Sequence, residues 1–263
     1  MNRTRRNLIL LFSSLGLLLL WQGIAKSVEI PVIMPSLGPI VRALGELASG
    51  PAFSANLLAT ILRAIRSFLI IVITGTVLGL IGGRNQTVSL ILKPFVTTLK
   101  ATPVMSVILL AFIWFSSGSV PLFSAFLMGF PVMYLQIEHG VKQLDPNLGE
   151  MCDLYDVPPK TKLFYYTLPS LAPWFVAGSR ATLSMIWKVV IAAEVLTVPR
   201  HGVGSRMQLA QVQLQTDVVL SWTLVAIALT ALGDLFFEGV VSVVAKTRST
   251  VQRRRVDALL KRF

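Results

Sequence analysis

Long apolar runs recur along this chain, and their length predicts membrane-spanning helices. A helix that rises about 1.5 Å per residue needs about 20 mostly apolar residues to cross a hydrocarbon layer roughly 30 Å thick. The runs are continuous and lack the alternation of apolar and polar residues that is typical of barrel strands, so helices are expected. The predicted spans are residues 7–25, 60–82, 94–115, 121–141, 170–196 and 218–245.

Short polar signals set the boundaries of these spans. Residues 101–137 contain no Asp, Glu, Lys or Arg and are too long for one span, so the Ser/Gly/Pro-rich turn at 116–121 divides them. The first run follows three arginines, as in a signal peptide, but its length and the poor cleavage sequence at 25–27 favour a retained helix. Segment 35–50 is too short and polar to span, and its apolar residues recur at helical spacing, which predicts a helix along the outer interface.

Composition supports an all-α polytopic membrane protein with six transmembrane helices. Hydrophobic residues make up 54% of the 263 positions and charged residues only 14%, against roughly 25% in soluble domains. The net charge of +12 lies in short segments between apolar runs, which favours contact with lipid headgroups rather than nucleic acid. No linker divides the chain, so we expect one transmembrane domain over 1–263, with a core at about 55–245.

Basic residues concentrate on one side of the predicted membrane. With the N-terminus inside, the inner segments hold 14 Lys and Arg and the outer segments hold 4, which predicts that both termini are cytoplasmic. The longest inner connection is 142–169, and the basic tail at 246–263, with Arg253, Arg254 and Arg255, is predicted to contact anionic lipid. The inner residues are Arg3, Arg5, Arg6, Arg84, Lys142, Lys160, Lys162, Lys246, Arg248, Arg253, Arg254, Arg255, Lys261 and Arg262, and the outer residues are Lys26, Arg42, Arg200 and Arg206.

The chain lacks the motifs that catalysis or nucleotide binding would need. The dipeptide Gly-Lys does not occur, so the usual phosphate-binding loop is missing and we expect no cofactor in this chain. Cys152 is the single cysteine and the two histidines cannot build a His-rich site, so neither a disulfide nor a metal site is expected. Glu138-His139 is interpreted as a solvated span end rather than an acid–base pair. The sequence therefore predicts a protein that is not an enzyme.

The connection at 142–169 carries a specific pattern. Glu150, Leu168 and Pro169 match, at the right spacing, a signature of Glu-Ala-Ala, three residues, Gly, nine residues, Ile, one residue and Leu-Pro. Four positions of this signature differ in the chain, where they are occupied by Met151, Cys152, Asp156 and Tyr166. The loop therefore resembles the cytoplasmic signature of binding-protein-dependent ABC importer permeases. A helix, a turn and a second helix are expected, with a left-handed residue at Asp156.

Further segments extend this resemblance to permeases for nitrate, sulfonates, taurine and pyrimidine precursors. They are Trp187–Glu194 with Gly202-Val203-Gly204, Leu214–Val219, and Met34–Leu37. The resemblance implies a type I importer permease fold that works as a homodimer by alternating access. It also implies an external binding protein that delivers substrate and two ATPase subunits that bind ATP and dock on the cytoplasmic loops.

In such permeases the loop forms a coupling helix that inserts into the ATPase. The residues assigned to this contact are Glu150, Asp153, Leu154, Tyr155, Asp156 and Val157. Leu154, Tyr155 and Val157 are expected to be apolar anchors, while Glu150 and Asp153 make polar contacts. Alternatively, Glu150 is only a helix-stabilising charge near an N-terminus.

Ionisable residues inside spans suggest a substrate path. Arg180, Trp187 and Glu194 are spaced by seven residues and share one stripe, and Lys188 borders it. Two interpretations stay open: the stripe lines the path at the dimer axis, or Lys188 pairs with Glu194 or a neighbouring helix and fixes packing. Asp234 and Glu238 are interpreted as partners for basic residues, while Arg63 and Arg66 are expected to extend to the interface.

The function predicted from these features is import of a small solute such as a sulfonate, nitrate or a heteroaromatic vitamin precursor. The intramembrane basic residues favour an anion. Two alternatives remain, an ion-coupled secondary transporter and a membrane-embedded enzyme.

Overall fold

The computed structural model describes residues 3–260, with side chains at 5–9 and 11–243. The side chains of the basic tail, including Arg253, Arg254 and Arg255, lie outside the described residues. The described part is helical and contains no strand. Its helices are α1 (Arg3–Val28), α2 (Leu37–Ser49), α3 (Phe53–Arg84), α4 (Gln86–Ala101), α5 (Val104–Trp114), α6 (Val120–Lys142), α7 (Pro146–Leu154), α8 (Pro159–Lys162), a π-helical turn (Leu163–Thr167) that continues into α9 (Leu168–Thr197), α10 (Val203–Val212) and α11 (Thr216–Leu260).

Five of these helical stretches are long and apolar enough to cross a membrane. They are Arg5–Val28, Phe53–Arg84, Val120–Lys142, Pro159–Thr197 and Thr216–Val243. They include four of the six predicted spans in full and residues 218–243 of the last predicted span. The predicted helix within 35–50 is confirmed as α2. The sixth candidate span is the pair α4 and α5, which are bent by 102° relative to each other.

The prediction of one continuous helix at 94–115 is therefore wrong. Thr102 and Pro103 are extended, with ψ of 127° and 133°, and the helix is interrupted there. The reason is steric: the proline ring disfavours helical backbone at the preceding residue, and proline has no N–H to donate. The pair nevertheless carries the chain across the bundle, as the directions of the neighbouring helices show.

Helices α3 and α6 lie side by side and run parallel. A Cβ placed on Gly75 would meet Met133, one on Gly79 would meet Ile137, and the same holds for Gly83 and Val141. The residue numbers of α3 and of α6 increase in the same direction along this contact. The chain between α3 and α6 therefore has to return to the end of the bundle where α3 began. Helices α4 and α5 make that return, so the bundle has six crossings.

The bundle has two distinct ends. One end, where α3 and α6 end, is called the loop end. Helices α7 and α8 also lie there. Helices α2 and α10 lie at the opposite end, where the Ser221 hydroxyl donates to the Ile40 carbonyl at 2.9 Å. Helix α9 runs antiparallel to α6, since Gly140 faces Trp174 and Gly129 faces Thr182. The core between α3, α6 and α9 includes the buried apolar residues Ile71, Met133, Ile137, Ile186 and Val190.

Close contact between α3 and α6 makes Gly79 a sensitive position. A leucine at Gly79 would place its Cβ 2.8 Å from the Ile137 Cβ and 2.9 Å from the Tyr134 carbonyl oxygen. We expect Gly79→Leu to lower the free energy of unfolding by about 1–3 kcal/mol, because the helices must move apart. The measurement is thermal unfolding of the purified protein in mild detergent. Gly16→Leu in α1 is the matched control, since nothing lies within 4 Å of its Cβ, and equal unfolding temperatures for the two variants would contradict the packing described.

Candidate functional site

Helix α7 at the loop end is well defined at both termini. The Asp145 side chain caps its start by accepting from the Asn147 N–H at 2.9 Å, and Pro146 occupies the first turn. At its end the Val157 N–H donates to the Cys152 carbonyl at 2.9 Å, and the Asp156 N–H donates to the Asp153 carbonyl at 3.2 Å. This pair of bonds is the Schellman motif, in which the residue after the cap is left-handed. Asp156 has φ of 48°, so the left-handed turn predicted there is present.

The tip of α7 exposes two large apolar side chains. Leu154 is 80% exposed and the adjacent Tyr155 is 74% exposed. Glu150 and Asp153 are also exposed, whereas Cys152 is buried beneath them. An apolar tip rimmed by carboxylates is typical of a surface that docks on another protein. The structure therefore brings Glu150, Asp153, Leu154 and Tyr155 together on one small projection.

Two residues that received no role in the prediction brace this projection. The Lys162 ammonium donates to Asp153 Oδ1 at 2.6 Å and to the Gly149 carbonyl at 3.2 Å. The Tyr166 hydroxyl donates to the Asp145 carbonyl at 2.5 Å. Lys162 and Tyr166 belong to the segment that leads into α9, so α7 is fastened to that helix as well as to α6. Lys162 follows Asp153 by nine residues, across the turn between α7 and α8. Opposite charges on the two sides of a short turn were a signal that could have identified this brace.

The intramembrane residues of the predicted stripe do not share one surface. Arg180 is exposed and pairs with Glu238 of α11 at 3.1 Å, as predicted for that acid. Trp187 is buried and contacts Gly233 of α11. Lys188 is exposed, whereas Glu194 is 0% exposed.

Glu194 is the centre of a polar cluster at the opposite end of the bundle. Its carboxylate accepts from Arg63 at 2.6 Å, from the Thr60 hydroxyl at 2.9 Å and from the Gly204 N–H at 3.1 Å. The alternative that Lys188 pairs with Glu194 is therefore wrong, and so is the expectation that Arg63 extends to the interface. The Arg63 side chain is 16% exposed, because its charge is satisfied by a buried partner rather than by water.

The same cluster fastens the turn before α10 to α3. Arg63 also donates to the His201 carbonyl at 2.8 Å, and Asn56 Oδ1 accepts from the Gly202 N–H at 3.1 Å. The Val203 N–H donates to the Thr60 hydroxyl at 2.9 Å. We call Asn56, Thr60, Arg63 and Glu194 the outer clamp. Its three α3 members follow helical spacing, but Glu194 lies 131 positions from Arg63, and no local pattern connects them.

A shallow groove beside Lys188 runs between α9 and α11. It encloses about 470 Å³, and its wall is mostly apolar. Lys188 and Asp234 are the ionisable residues that line it. A lysine on a membrane-spanning helix is costly unless it faces water, a ligand or another subunit. The groove is thus a place in the described structure where a predicted path residue, Lys188, is open to its surroundings.

Comparison with known proteins gives a consistent result. A family model described as binding-protein-dependent transport system inner membrane component matches residues 75–249. A putative aliphatic sulfonates transport permease of Escherichia coli is 30% identical, over 84% of this chain and 83% of that protein. The taurine transport system permease of Escherichia coli is 26% identical, over 78% of this chain and 77% of that protein. The glycine betaine transport system permease of Bacillus subtilis is 24% identical, over 62% and 57% respectively. The chain belongs to the binding-protein-dependent transport system inner membrane component family.

Proposed function

We propose that this ABC permease is an importer subunit that moves a small solute by alternating access, driven by a separate ATPase. The observation that carries the proposal is the braced, capped helix α7 with Leu154 and Tyr155 exposed at its tip. A short helix with fixed ends transmits displacement of a bound partner to the spans on either side of it.

The proposed assembly follows from this role. Two ATPase subunits bind ATP and dock on the α7 projections of a permease homodimer. An external binding protein delivers solute to the opposite end. The loop end is then cytoplasmic, which agrees with the concentration of Lys and Arg in segments at that end. Basic residues there also contact lipid headgroups.

Reconstitution into vesicles tests the proposal. The permease should support uptake only together with its ATPase subunit, its binding protein and internal ATP. Omission of the ATPase is the control for specificity. Uptake that persists without ATPase and collapses with an ion gradient would instead establish a secondary transporter. Chemical turnover by the purified chain alone would establish an enzyme.

The proposed substrate is a small anion of the sulfonate class. Two of the relatives are named for aliphatic sulfonates and for taurine. Lys188 supports the same class, because it offers an exposed positive charge in the groove between α9 and α11. Arg180 and Trp187 are proposed to border the path, and Glu194 to hold the end of α9 in place.

Replacing Lys188 by alanine tests the path directly. We expect the apparent affinity for a sulfonate in ATP-driven uptake to fall on the order of 10-fold or more, because a charged hydrogen bond to the substrate is lost. Lys188→Arg should retain most of the uptake because it keeps the charge. The control is the yield of assembled complex in the membrane. Normal assembly with unchanged affinity would remove Lys188 from the path, and loss of the protein from the membrane would identify it as a packing residue.

A further inference from the structure

A second, larger cavity lies at the loop end between α4 and the last turns of α6. It encloses about 600 Å³ and shares no lining residue with the Lys188 groove or the α7 tip. Ser89, Lys93 and Lys100 of α4 line one side, and Tyr134, His139 and Lys142 of α6 line the other. A cavity of this size accommodates a small organic ligand.

The cavity carries an excess of positive charge. Lys93 and Lys100 lie seven residues apart on one face of α4, and both are exposed. Neither makes an ion pair or a side-chain hydrogen bond with any other residue that the structure describes. Glu138 is the one acid among the lining residues. Three lysines and one glutamate give a formal charge of +3 − 1 = +2 around the cavity.

The Glu138 carboxylate is already hydrogen-bonded to neighbouring side chains. Its Oε1 accepts from the Lys142 ammonium at 2.6 Å and from the Ser89 hydroxyl at 2.5 Å. The carboxylate is almost fully buried, at 7% side-chain exposure. It therefore positions Lys142 at the cavity wall and leaves Lys93 and Lys100 without a counter-charge.

Tyr134 forms part of the cavity wall next to Ser89. The residue is 1% exposed and lines the cavity. Its hydroxyl interacts with the side chain of Ser89, which also donates to Glu138. Ser89, Tyr134 and Glu138 therefore give the cavity a polar wall beside its lysines.

We propose that this cavity binds a phosphate-bearing anion. Lys93, Lys100 and Lys142 balance its charge. The phosphate belongs either to a lipid headgroup or to a soluble phosphate compound. Leu90 and Leu135 also line the cavity and offer apolar surface to an acyl chain, which favours the lipid.

The test is ligand-dependent thermal unfolding and native mass spectrometry of the purified full-length chain in detergent. The probes are short-chain phosphatidylglycerol, the zwitterionic short-chain phosphatidylcholine, and inorganic phosphate. We expect phosphatidylglycerol to bind at least 10-fold more tightly than phosphatidylcholine. The double variant Lys93→Gln/Lys100→Gln should bind it on the order of 30-fold more weakly, because each basic residue contributes to binding of an anionic headgroup. Both side chains are exposed and unpaired in the described structure, so the variant retains the fold.

A control variant makes the result specific. Arg6→Gln/Lys160→Gln removes the same charge from the same end of the bundle and should bind like the wild type. Inorganic phosphate that binds as tightly as phosphatidylglycerol would assign the site to a soluble compound. The proposal is overturned if neither phosphatidylglycerol nor inorganic phosphate binds, or if the lysine double variant binds phosphatidylglycerol like the wild type. It is also overturned if Arg6→Gln/Lys160→Gln weakens that binding as much as Lys93→Gln/Lys100→Gln does.

Discussion

Replacing Glu194 by alanine should lower the free energy of unfolding by about 3–5 kcal/mol, the largest loss of stability expected for a single substitution in this chain. The substitution leaves Arg63 partly buried without its counter-charge. It also removes the acceptor for the Thr60 hydroxyl and the Gly204 N–H. Each buried group left without a partner adds its own cost of desolvation.

Unfolding of the purified protein by denaturing detergent, followed by tryptophan fluorescence, measures this effect. Glu238→Ala is the matched control. It removes a carboxylate from an ion pair with Arg180 in which both side chains are about half exposed. Such pairs contribute about 0–1 kcal/mol. The double variant Arg63→Met/Glu194→Leu should lose less stability than the summed losses of Arg63→Ala and Glu194→Ala, since it removes both charges together. Equal loss for Glu194→Ala and Glu238→Ala would show that the outer clamp does not stabilise the fold.

Changes in α7 should have the largest effect on transport. Glu150→Lys reverses an exposed charge beside the apolar tip and should weaken association with the ATPase by about 1–3 kcal/mol, or roughly 5- to 150-fold. Asp156→Val should displace the tip, because a β-branched residue resists positive φ at a cost of about 1–2 kcal/mol. Asp156→Gly should be tolerated, since glycine adopts the left-handed conformation readily.

Co-purification of the ATPase subunit and ATP-driven uptake in vesicles measure these effects. Glu46→Lys makes the same charge reversal at an exposed position on α2, at the opposite end of the bundle, and should leave ATPase binding unchanged. If both Glu150→Lys and Asp156→Val bind the ATPase and transport normally, α7 is not the coupling element.

Hydropathy was sufficient to predict the fold class, because a span must bury its own backbone hydrogen bonds in apolar surroundings. The comparisons confirm the predicted family and, with it, a transport subunit rather than an enzyme. Hydropathy did not predict the break at Thr102 and Pro103, since a bent pair and a straight span have the same apolar content. Pro103 carried that information and was read only as part of an apolar run.

The sites were predictable to the extent that they are local. The left-handed turn at Asp156 follows from its position in a short motif. The pairing of Glu238 with a basic residue follows from its place near the inner boundary of the predicted span 218–245. The outer clamp was not predictable, because Arg63 and Glu194 meet only after three helices have packed. The role of Lys188 stays a prediction, since it depends on what covers the groove between α9 and α11.

The glycine contacts between α3 and α6 fix the register of the two helices. The side chains that face Gly75, Gly79 and Gly83 of α3 are those of Met133, Ile137 and Val141 of α6. One turn earlier the arrangement is reversed, because Gly129 of α6 faces the side chain of Ile71 of α3. A slide of one turn would set Ile71 against Met133, two large side chains where there is room for one. The two helices therefore cannot ratchet past each other and must move as a single rigid body. Any displacement of α7 that reaches α6 consequently moves α3 as well, together with the clamp residues that α3 carries at the far end of the bundle.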